Sequence, residues 1–543
     1  MQNLFHSEGA VGEEIEADVV VVGFGVAGAC AALEAAEAGA EVVVLDRFGG
    51  GGTSRLSGGI VYAGGGTRPQ RAAGVTDSVE DVYAYLRAEV GDAVSPATLR
   101  RFCAGGPEMI DWLEARGVRF GDALAPYKTS YPSRRHHLYY SGSEAAGGFR
   151  DLARPAPRGH RPVGRGTSGK VLHTALARAV RAAGVRVLDQ TRVTGLIRDG
   201  GEVHGVECAT LRTAARPARA LHRTAARLAA KPGIYLPVLA RRLHAVAERV
   251  ERRRAVPLRI RARRGVVLAA GGFIADRELL RHHAPRHRGG LPLGTRADDG
   301  SGIRLGRSAG GTTDKLGNVS VWRFITPPSE FLHGVLVDEH GKRVCDESRY
   351  GAALGDALVH HHGGRGWLLI DAETRRRALR SLPRQTVWFQ LLQALHLLHR
   401  RAVTAPTITE VAELAGIDPA GLAATAHAHD TAAPGADPVG KPAEFVRPLR
   451  TPPYTLLDLS IRPSAAYPCP MLTLGGLRVD EDTGAVLDER DRPVPGLHAA
   501  GRTAVGLCSN SYVSGLSLAD CVFSGRRAGH WLAPGGGGER AHG

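Results

Sequence analysis

The stretch ADVVVVGFGVAGACAALEAAEAGAEVVVLDR, residues Ala17–Arg47, decides the fold. Asp18–Val22 reads as a short buried strand, and Gly23-Phe24-Gly25-Val26-Ala27-Gly28 as a G-x-G-x-x-G turn. A long alanine-rich helix follows, and Glu41–Leu45 forms a second strand that ends at Asp46. The three glycines do different things. Gly23 permits the tight turn, Gly25 lets a diphosphate approach the backbone, and Gly28 allows close helix–strand packing. Asp46 lies 18 residues beyond Gly28, where it can accept a ribose hydroxyl. An isolated glycine pattern says little. The complete strand–turn–helix–strand–acid unit predicts a Rossmann-like dinucleotide site, without choosing between FAD and NAD.

Later segments bear on that choice. GGGGTSRLSGGIVYAGGG (Gly49–Gly66) follows the second strand, and its Thr53, Ser54 and Ser57 suit a loop lying along a diphosphate and a flavin ring. RRGVVLAAGGF (Arg263–Phe273) is a buried strand ending in a glycine pair, and VPGLHAAGRTAVG (Val494–Gly506) returns to a strand and glycine turn near the end of the chain. The order GxGxxG, GGTSxxSGG, VVLAAGGF, GGLRVDE, PGLHAAG closely resembles the fumarate reductase/succinate dehydrogenase flavoprotein superfamily, over almost the whole chain. The resemblance implies an α/β fold: a Rossmann-like FAD-binding domain built from both ends of the chain, with an inserted α+β capping domain. Its parts are residues 17–275 and 447–532 for FAD and 276–446 for the cap, with the substrate between them; 533–543 reads as a disordered tail.

By the same resemblance FAD contacts Gly23, Gly25, Val26, Ala27, Gly28, Asp46, Arg47, Thr53, Ser54, Ser57, Gly58, Gly59, Ala270, Gly271, Gly501, Arg502, Leu516 and Ser517. Relatives commonly carry Glu or Asn at the position of Arg502. Some attach the flavin to a histidine in the loop after the second strand; no histidine occurs between Gly49 and Gly66, so non-covalent FAD is expected.

Composition sets the remaining limits. The chain has 543 residues, 43% of them hydrophobic, and seven scattered cysteines with no C-x-x-C pair, which argues against a disulfide framework or zinc site and for a reducing cytoplasm. No signal-peptide core and no uninterrupted apolar run of about 18 residues is present. Net charge is +16, and nearly all the excess lies in 209–264, where 15 Arg and one Lys face two Glu. Arg212, Arg216, Arg219, Arg223 and Arg227 share a helical face, and Ile234, Leu236, Val238, Leu239, Leu243, Val246 and Val250 supply an apolar partner stretch. This reads either as a solvated helical hairpin inserted between two strands or as a face for the anionic inner surface of a membrane. The arginines come with no stacking aromatics or nucleic-acid motif, which argues against nucleic acid as a partner. A second stretch, RQTVWFQLLQALHLLHRR (Arg384–Arg401), is oily with basic ends and suits a core, a partner chain or a membrane interface. His360-His361-His362 reads as an exposed loop and not as a metal site, because no defined ligand spacing surrounds it.

The substrate side departs from the fumarate reductases, which hold a dicarboxylate with fixed cations. Their carboxylate-clamping arginine aligns with Tyr512, their histidine with Leu472 or Met471, and their acid–base arginine falls around Arg349, Tyr350 and Gly351. A dicarboxylate substrate is therefore not expected. The run SNSYVSGLSLADCVFSGRRAG (Ser509–Gly529) is similar instead to the C-terminal motif of 3-ketosteroid dehydrogenases, and its Y-x-S form to the Δ4-(5α) type. HLYYSGSE (His137–Glu144) and Tyr350 after GKRVCDES also resemble that group.

The implied chemistry is FAD-dependent desaturation next to a ketone on an apolar polycyclic substrate, or the reverse enone reduction. The alternatives are the same chemistry on a non-steroid cyclic ketone or enone and, more remotely, a non-catalytic basic membrane-binding flavoprotein. In the first of these Tyr512 polarises the ketone with a backbone N–H. Tyr350 exchanges the proton, with Arg349 or a relay through Ser514 stabilising its phenolate. Tyr139 and Tyr140 either line the substrate site or only pack, half-buried. Ser514 either relays or only caps the following helix. No second G-x-G-x-x-G unit occurs, so electrons pass to or from an external partner, a quinone being one candidate.

Overall fold

The computed structural model describes residues 13–230, 237–287, 290–433, 435–464 and 466–537. The valine-rich strand spans Glu13–Val22 and lies at the centre of the main sheet, parallel to Val42–Asp46 on one side and Val256–Leu268 on the other. Arg186–Asp189 and Pro493–Ala499 extend it in parallel, and Ala485–Leu487 adds an antiparallel edge. The pairs Val22↔Leu45, Val22↔Leu268 and Ala499↔Leu268 align the carboxyl ends of strands from opposite ends of the chain. Gly23, Asp46, Ala269 and Ala500 therefore leave the sheet along one edge, where open α/β sheets bind their ligands. Two glycines make the first turn possible. Gly23 holds φ +106°, and a Cβ on Gly28 would stand 1.9 Å from the Gly23 carbonyl oxygen.

A second, four-stranded antiparallel sheet runs Val335–Val337, Trp367–Ile370, Tyr454–Asp458, Ala402–Ala405. Its core packs against the helices Ala372–Gln385, Trp388–Arg400, Ile408–Ala415 and Pro419–Thr431. The chain stays in this sheet as far as Asp458, beyond the return at Arg447 that the sequence suggests. The histidine run is not a loop: His360 and His361 end the helix Gly351–His361, where His360 faces Asp356 at 3.2 Å and His362 faces Asp338 at 3.3 Å. Of the tail, 533–537 are described, with Ala533 buried and its carbonyl bonded by Arg264; 538–543 lie outside the described residues.

The basic segment is two helices, Arg216–Ala230 and Pro237–Arg254, packed together between two strands that pair antiparallel, Glu202–Thr210 and Val256–Leu268. Arg212 precedes the first helix, Arg216, Arg223 and Arg227 are exposed on it, and Ile234 and Leu236 lie outside the described residues. The hairpin docks beside the second strand of the nucleotide unit. Arg47 donates through Nε and Nη2 to Glu251, both at 2.9 Å, and the same carboxylate meets His222 Nε2 at 3.0 Å. Phe48 stacks on His222 with centroids 5.6 Å apart. Among the described residues no helix is long and apolar enough to cross a membrane.

Glu251 is the pin of this docking. Burial raises its carboxyl, but hydrogen bonds from His222 and Arg47 outweigh that and hold it at about 2, against an ordinary 4.5. A carboxylate with a depressed folded pKa stabilises the fold above 4.5 and loses that contribution as pH falls toward 2. Glu251→Ala removes the acceptor shared by Arg47 and His222, leaves Arg47 only its longer pairs with Glu248 and Asp299, and is expected to cost about 2 kcal/mol. Denaturant unfolding at neutral pH, with faster tryptic cleavage at the hairpin arginines, measures it. The gap from wild type narrows below pH 4.5.

Candidate active site

At the edge of the main sheet the residues form a cradle. Gly25 caps the helix Val26–Glu37 with no side-chain bond, so the helix start offers its amides to an anion. Ser54 Oγ accepts from Val26 N at 3.2 Å, which pins the glycine loop over that helix start. Asp46 shapes the end of the second strand: its Oδ1 accepts from Phe48 N (2.8 Å) and Gly50 N (2.9 Å), its Oδ2 from Phe24 N (3.3 Å). Thr53 donates to Asp298 Oδ2, and Arg502 Nη2 to Asp298 Oδ1 at 2.6 Å. Arg502 Nη1 is buried without a protein partner, an orphan donor at the cavity wall. Free amides, an orphaned guanidinium and a carboxylate at the strand end fit the diphosphate and ribose of FAD. Ser57, Gly58, Gly59 and Ser517 line the adjoining cavity, Ala270 and Gly271 follow the strand Val256–Leu268, and Leu516 is buried. Arg47 points its guanidinium at Glu251, Glu248 and Asp299.

The cavity holds about 840 Å³, in the upper part of the usual 300–1,000 Å³ range for small-molecule sites. It runs from the glycine loop to the four-stranded-sheet side, where the helix Trp388–Arg400 contributes Phe389, Ala394 and Leu397. That oily helix thus serves as cavity wall, with Trp388 and Leu392 left exposed at 69% and 59%. No Asp or Glu is among the described residues that line this cavity.

Tyr350, Tyr512 and Ser514 all reach it. Tyr350 and Tyr512 lie with ring centroids 6.3 Å apart, and Trp322 packs on Tyr512 at 4.8 Å. Ser514 Oγ stands 3.1 Å from Tyr139 Oη and acts on the Tyr350 phenol by lowering it, so Ser514 relates the two phenols. Burial lifts all three phenols above their ordinary range; neighbouring phenols lift Tyr350 further, and Cys508 lifts Tyr512 further. The Gly515 backbone N–H acts the other way on Tyr512 and lowers it. No arginine is among the groups acting on Tyr350: Arg349 lies over the Phe149 ring at 5.4 Å. Ser514, by contrast, is among the groups that act on Tyr350. Tyr139 sits behind Ser514, fully buried, and not on the cavity wall. Tyr140 is off the wall too, next in chain to a strand residue and influenced by Glu144, Arg158 and Asp77.

Sequence reasoning misses the supports of this site. Tyr350 N donates to Ser143 Oγ at 3.1 Å, while Glu144 accepts twice from Gly142 N (3.0 and 2.9 Å) and Lys128 donates to Gly142 O. Ser143 and Glu144 belong to the run His137–Glu144, so a signal for them exists. Trp322 has none, because its role arises from a strand pairing, Val319–Val321 with Pro470–Thr473, remote in sequence.

Comparison with known proteins agrees with this geometry. The family model described as FAD binding domain matches residues 18–517. The chain is 40% identical over 502 residues to a 3-oxo-5-alpha-steroid 4-dehydrogenase of Comamonas testosteroni, covering 89% of this chain and 92% of that protein. It superposes with a TM-score of 0.80 and 31% identity on the 3-ketosteroid-delta4-(5alpha)-dehydrogenase of Rhodococcus jostii RHA1 in complex with 4-androstene-3,17-dione, covering 96% and 98% of the two chains. The 3-ketosteroid delta1-dehydrogenase of Sterolibacterium denitrificans, at 18% identity and TM-score 0.65 over 95% and 99%, shares the fold. The chain belongs to the FAD binding domain family and, within it, to the 3-ketosteroid Δ4-(5α)-dehydrogenase branch of FAD-dependent oxidoreductases that act on CH–CH groups.

Proposed function

We propose that this protein desaturates saturated 3-ketosteroids beside the ketone, and that the observation carrying this is the division of its hydroxyl groups into two sets. Tyr512 with the Gly515 N–H forms one set, and Tyr350 with Ser514 and Tyr139 the other. The first suits a ketone oxygen, whose charge grows only as the transition state becomes enolate-like. A neutral phenol meets that need without placing a permanent charge against an apolar ring. The second set handles a proton. Tyr350 in its phenolate form takes it from the carbon next to the ketone and becomes the neutral phenol, with Ser514 and the buried Tyr139 beside it. FAD, bound non-covalently in the cradle, supplies the hydride acceptor for the neighbouring carbon. The part of the cavity beyond the flavin cradle is walled largely by apolar side chains, and no acidic group is among its described lining residues to repel the enolate. Electrons leave to an external acceptor; a quinone fits a protein whose basic hairpin exposes Leu221, Val238 and Leu239.

The test is anaerobic mixing of the yellow protein with 5α-androstane-3,17-dione while the flavin band is followed. Bleaching with formation of the 4-ene supports the reading. A flavin that no saturated ketosteroid bleaches, and whose dithionite-reduced form no enone reoxidises, overturns it. Acid precipitation that leaves the yellow colour in the pellet would overturn non-covalent binding.

A further inference from the structure

Three arginines line the cavity and, among the described residues, no carboxylate does. Arg502 is neutralised by Asp298 at 2.6 Å. Arg161 is not neutralised by any group among the described residues. It is only 6% exposed, yet its bonds go to neutral acceptors: Ser168 Oγ from Nε at 3.0 Å, and the carbonyls of Pro132 and Ser133 from Nη1 at 3.2 and 2.6 Å. Arg134 is exposed at the same wall and makes no ion pair or hydrogen bond among the described residues. Arg161 is tied to the segment that carries Arg134, because the Ser133 carbonyl it bonds belongs to the residue just before Arg134. Arg161 stands over the Tyr131 ring at 5.1 Å, Tyr131 Oη meets Ser168 Oγ at 3.1 Å, and Gln390 Nε2 on the cavity helix reaches Tyr131 O at 3.4 Å.

A guanidinium withdrawn from water without a counter-charge is costly, and an apolar ligand drawn over this corner would raise that cost. A ligand bearing an anion would lower it. The planar fork of a guanidinium matches a carboxylate in two parallel hydrogen bonds. We infer that the corner formed by Arg134 and Arg161 is a subsite for a carboxylate on the side chain of the steroid, so that the enzyme prefers acidic 3-ketosteroids to neutral ones. This rests on the ketosteroid reading above and goes beyond it by naming the substrate's second recognition group. Arg134, exposed at the wall, meets the carboxylate as it enters; Arg161 supplies the buried positive field behind it.

The experiment compares three substrates in the FAD-loaded full-length protein: a 3-oxo-5α-steroid with a terminal side-chain carboxylate, its methyl ester, and 5α-androstane-3,17-dione. The methyl ester removes the charge and keeps the side chain. One charge-assisted hydrogen bond predicts a kcat/KM about tenfold higher for the acid. The preference resides in KM and shrinks as salt is added. In Arg134→Met the acid-to-ester ratio falls to about one; in Arg134→Lys, which keeps the charge but not the fork, part of it remains. Equal kcat/KM for acid and ester in the wild type overturns the inference, and so does a ratio that Arg134→Met leaves intact. Turnover of the neutral dione keeps the ketosteroid reading standing in either case. No turnover of any of the three removes both.

Discussion

Tyr350→Phe is expected to lower kcat for ketosteroid oxidation by about 10³-fold, within the 10²–10⁴ usual for a positioned acid–base group. The phenylalanine ring keeps the contacts that place residue 350, against Phe324 at 5.7 Å and Tyr512 at 6.3 Å. The loss is therefore chemical and not a collapse of the wall, and the flavin spectrum should stay unchanged. The pH profile carries further information. Burial, then the neighbouring Tyr512 and Tyr139, hold the Tyr350 phenol well above its ordinary 10, with Ser514 opposing them. The proton-accepting form is the ionised one, and its fraction grows with pH below the pKa. Wild-type kcat should thus climb across the whole range from about pH 6 to about pH 10 without a plateau. A level profile above about pH 8 would assign the proton to a more acidic group and sink the role given to Tyr350.

Tyr512→Phe is expected to reduce kcat by about 10²–10³, the effect of removing one donor from an oxyanion site. Trp322 packs at a tilt against this ring, with centroids 4.8 Å apart, and holds the substituted side chain in place. The bond to a ketone is weak in the ground state and strengthens as negative charge reaches the oxygen, so steady-state kcat should fall far more than ligand affinity. Titrating the oxidised flavin spectrum with an enone product gives that affinity directly. If affinity and rate drop by the same factor, Tyr512 binds substrate uniformly and does not stabilise the transition state. The remaining Gly515 N–H sets the floor: some rate persists because one donor remains.

How much of the fold and the site is legible in the sequence follows from the range of the forces involved. The nucleotide unit announces itself because it is local. A buried strand, a glycine turn, a helix and an acid within about 30 consecutive residues must fold together, and each residue type follows from backbone geometry or from a diphosphate. Tyr512 and Ser514 are legible for a similar reason, since they sit on the loop that opens the last helix, Leu516–Leu532. Tyr139 is legible as a chemical residue but not in its position. Whether it lines the cavity or stands behind Ser514 depends on the antiparallel pairing of Leu138–Tyr139 with Gly159–His160, which local sequence does not encode. Arg349 shows the same limit from the other side: it is adjacent to Tyr350 in sequence, yet its guanidinium lies over Phe149.

The basic segment and the cavity corner mark the boundary most clearly. Amphipathic periodicity alone determined that 209–264 holds helices, because that pattern is a property of neighbours one turn apart. Only the tertiary structure decided that Glu251 and His222 turn inward to clamp Arg47, while most of the remaining arginines face water. In the same way the sequence determined an FAD-binding α/β chain with a phenol in place of a carboxylate-clamping arginine. The folded chain decided that Arg134 and Arg161 line one cavity where no acid is among the described lining residues. The physical reason is common to both. Hydrogen-bonded backbone patterns are set by residues close in the chain, whereas the pairing of charges is set by which distant segments the hydrophobic core brings within a few ångströms of one another.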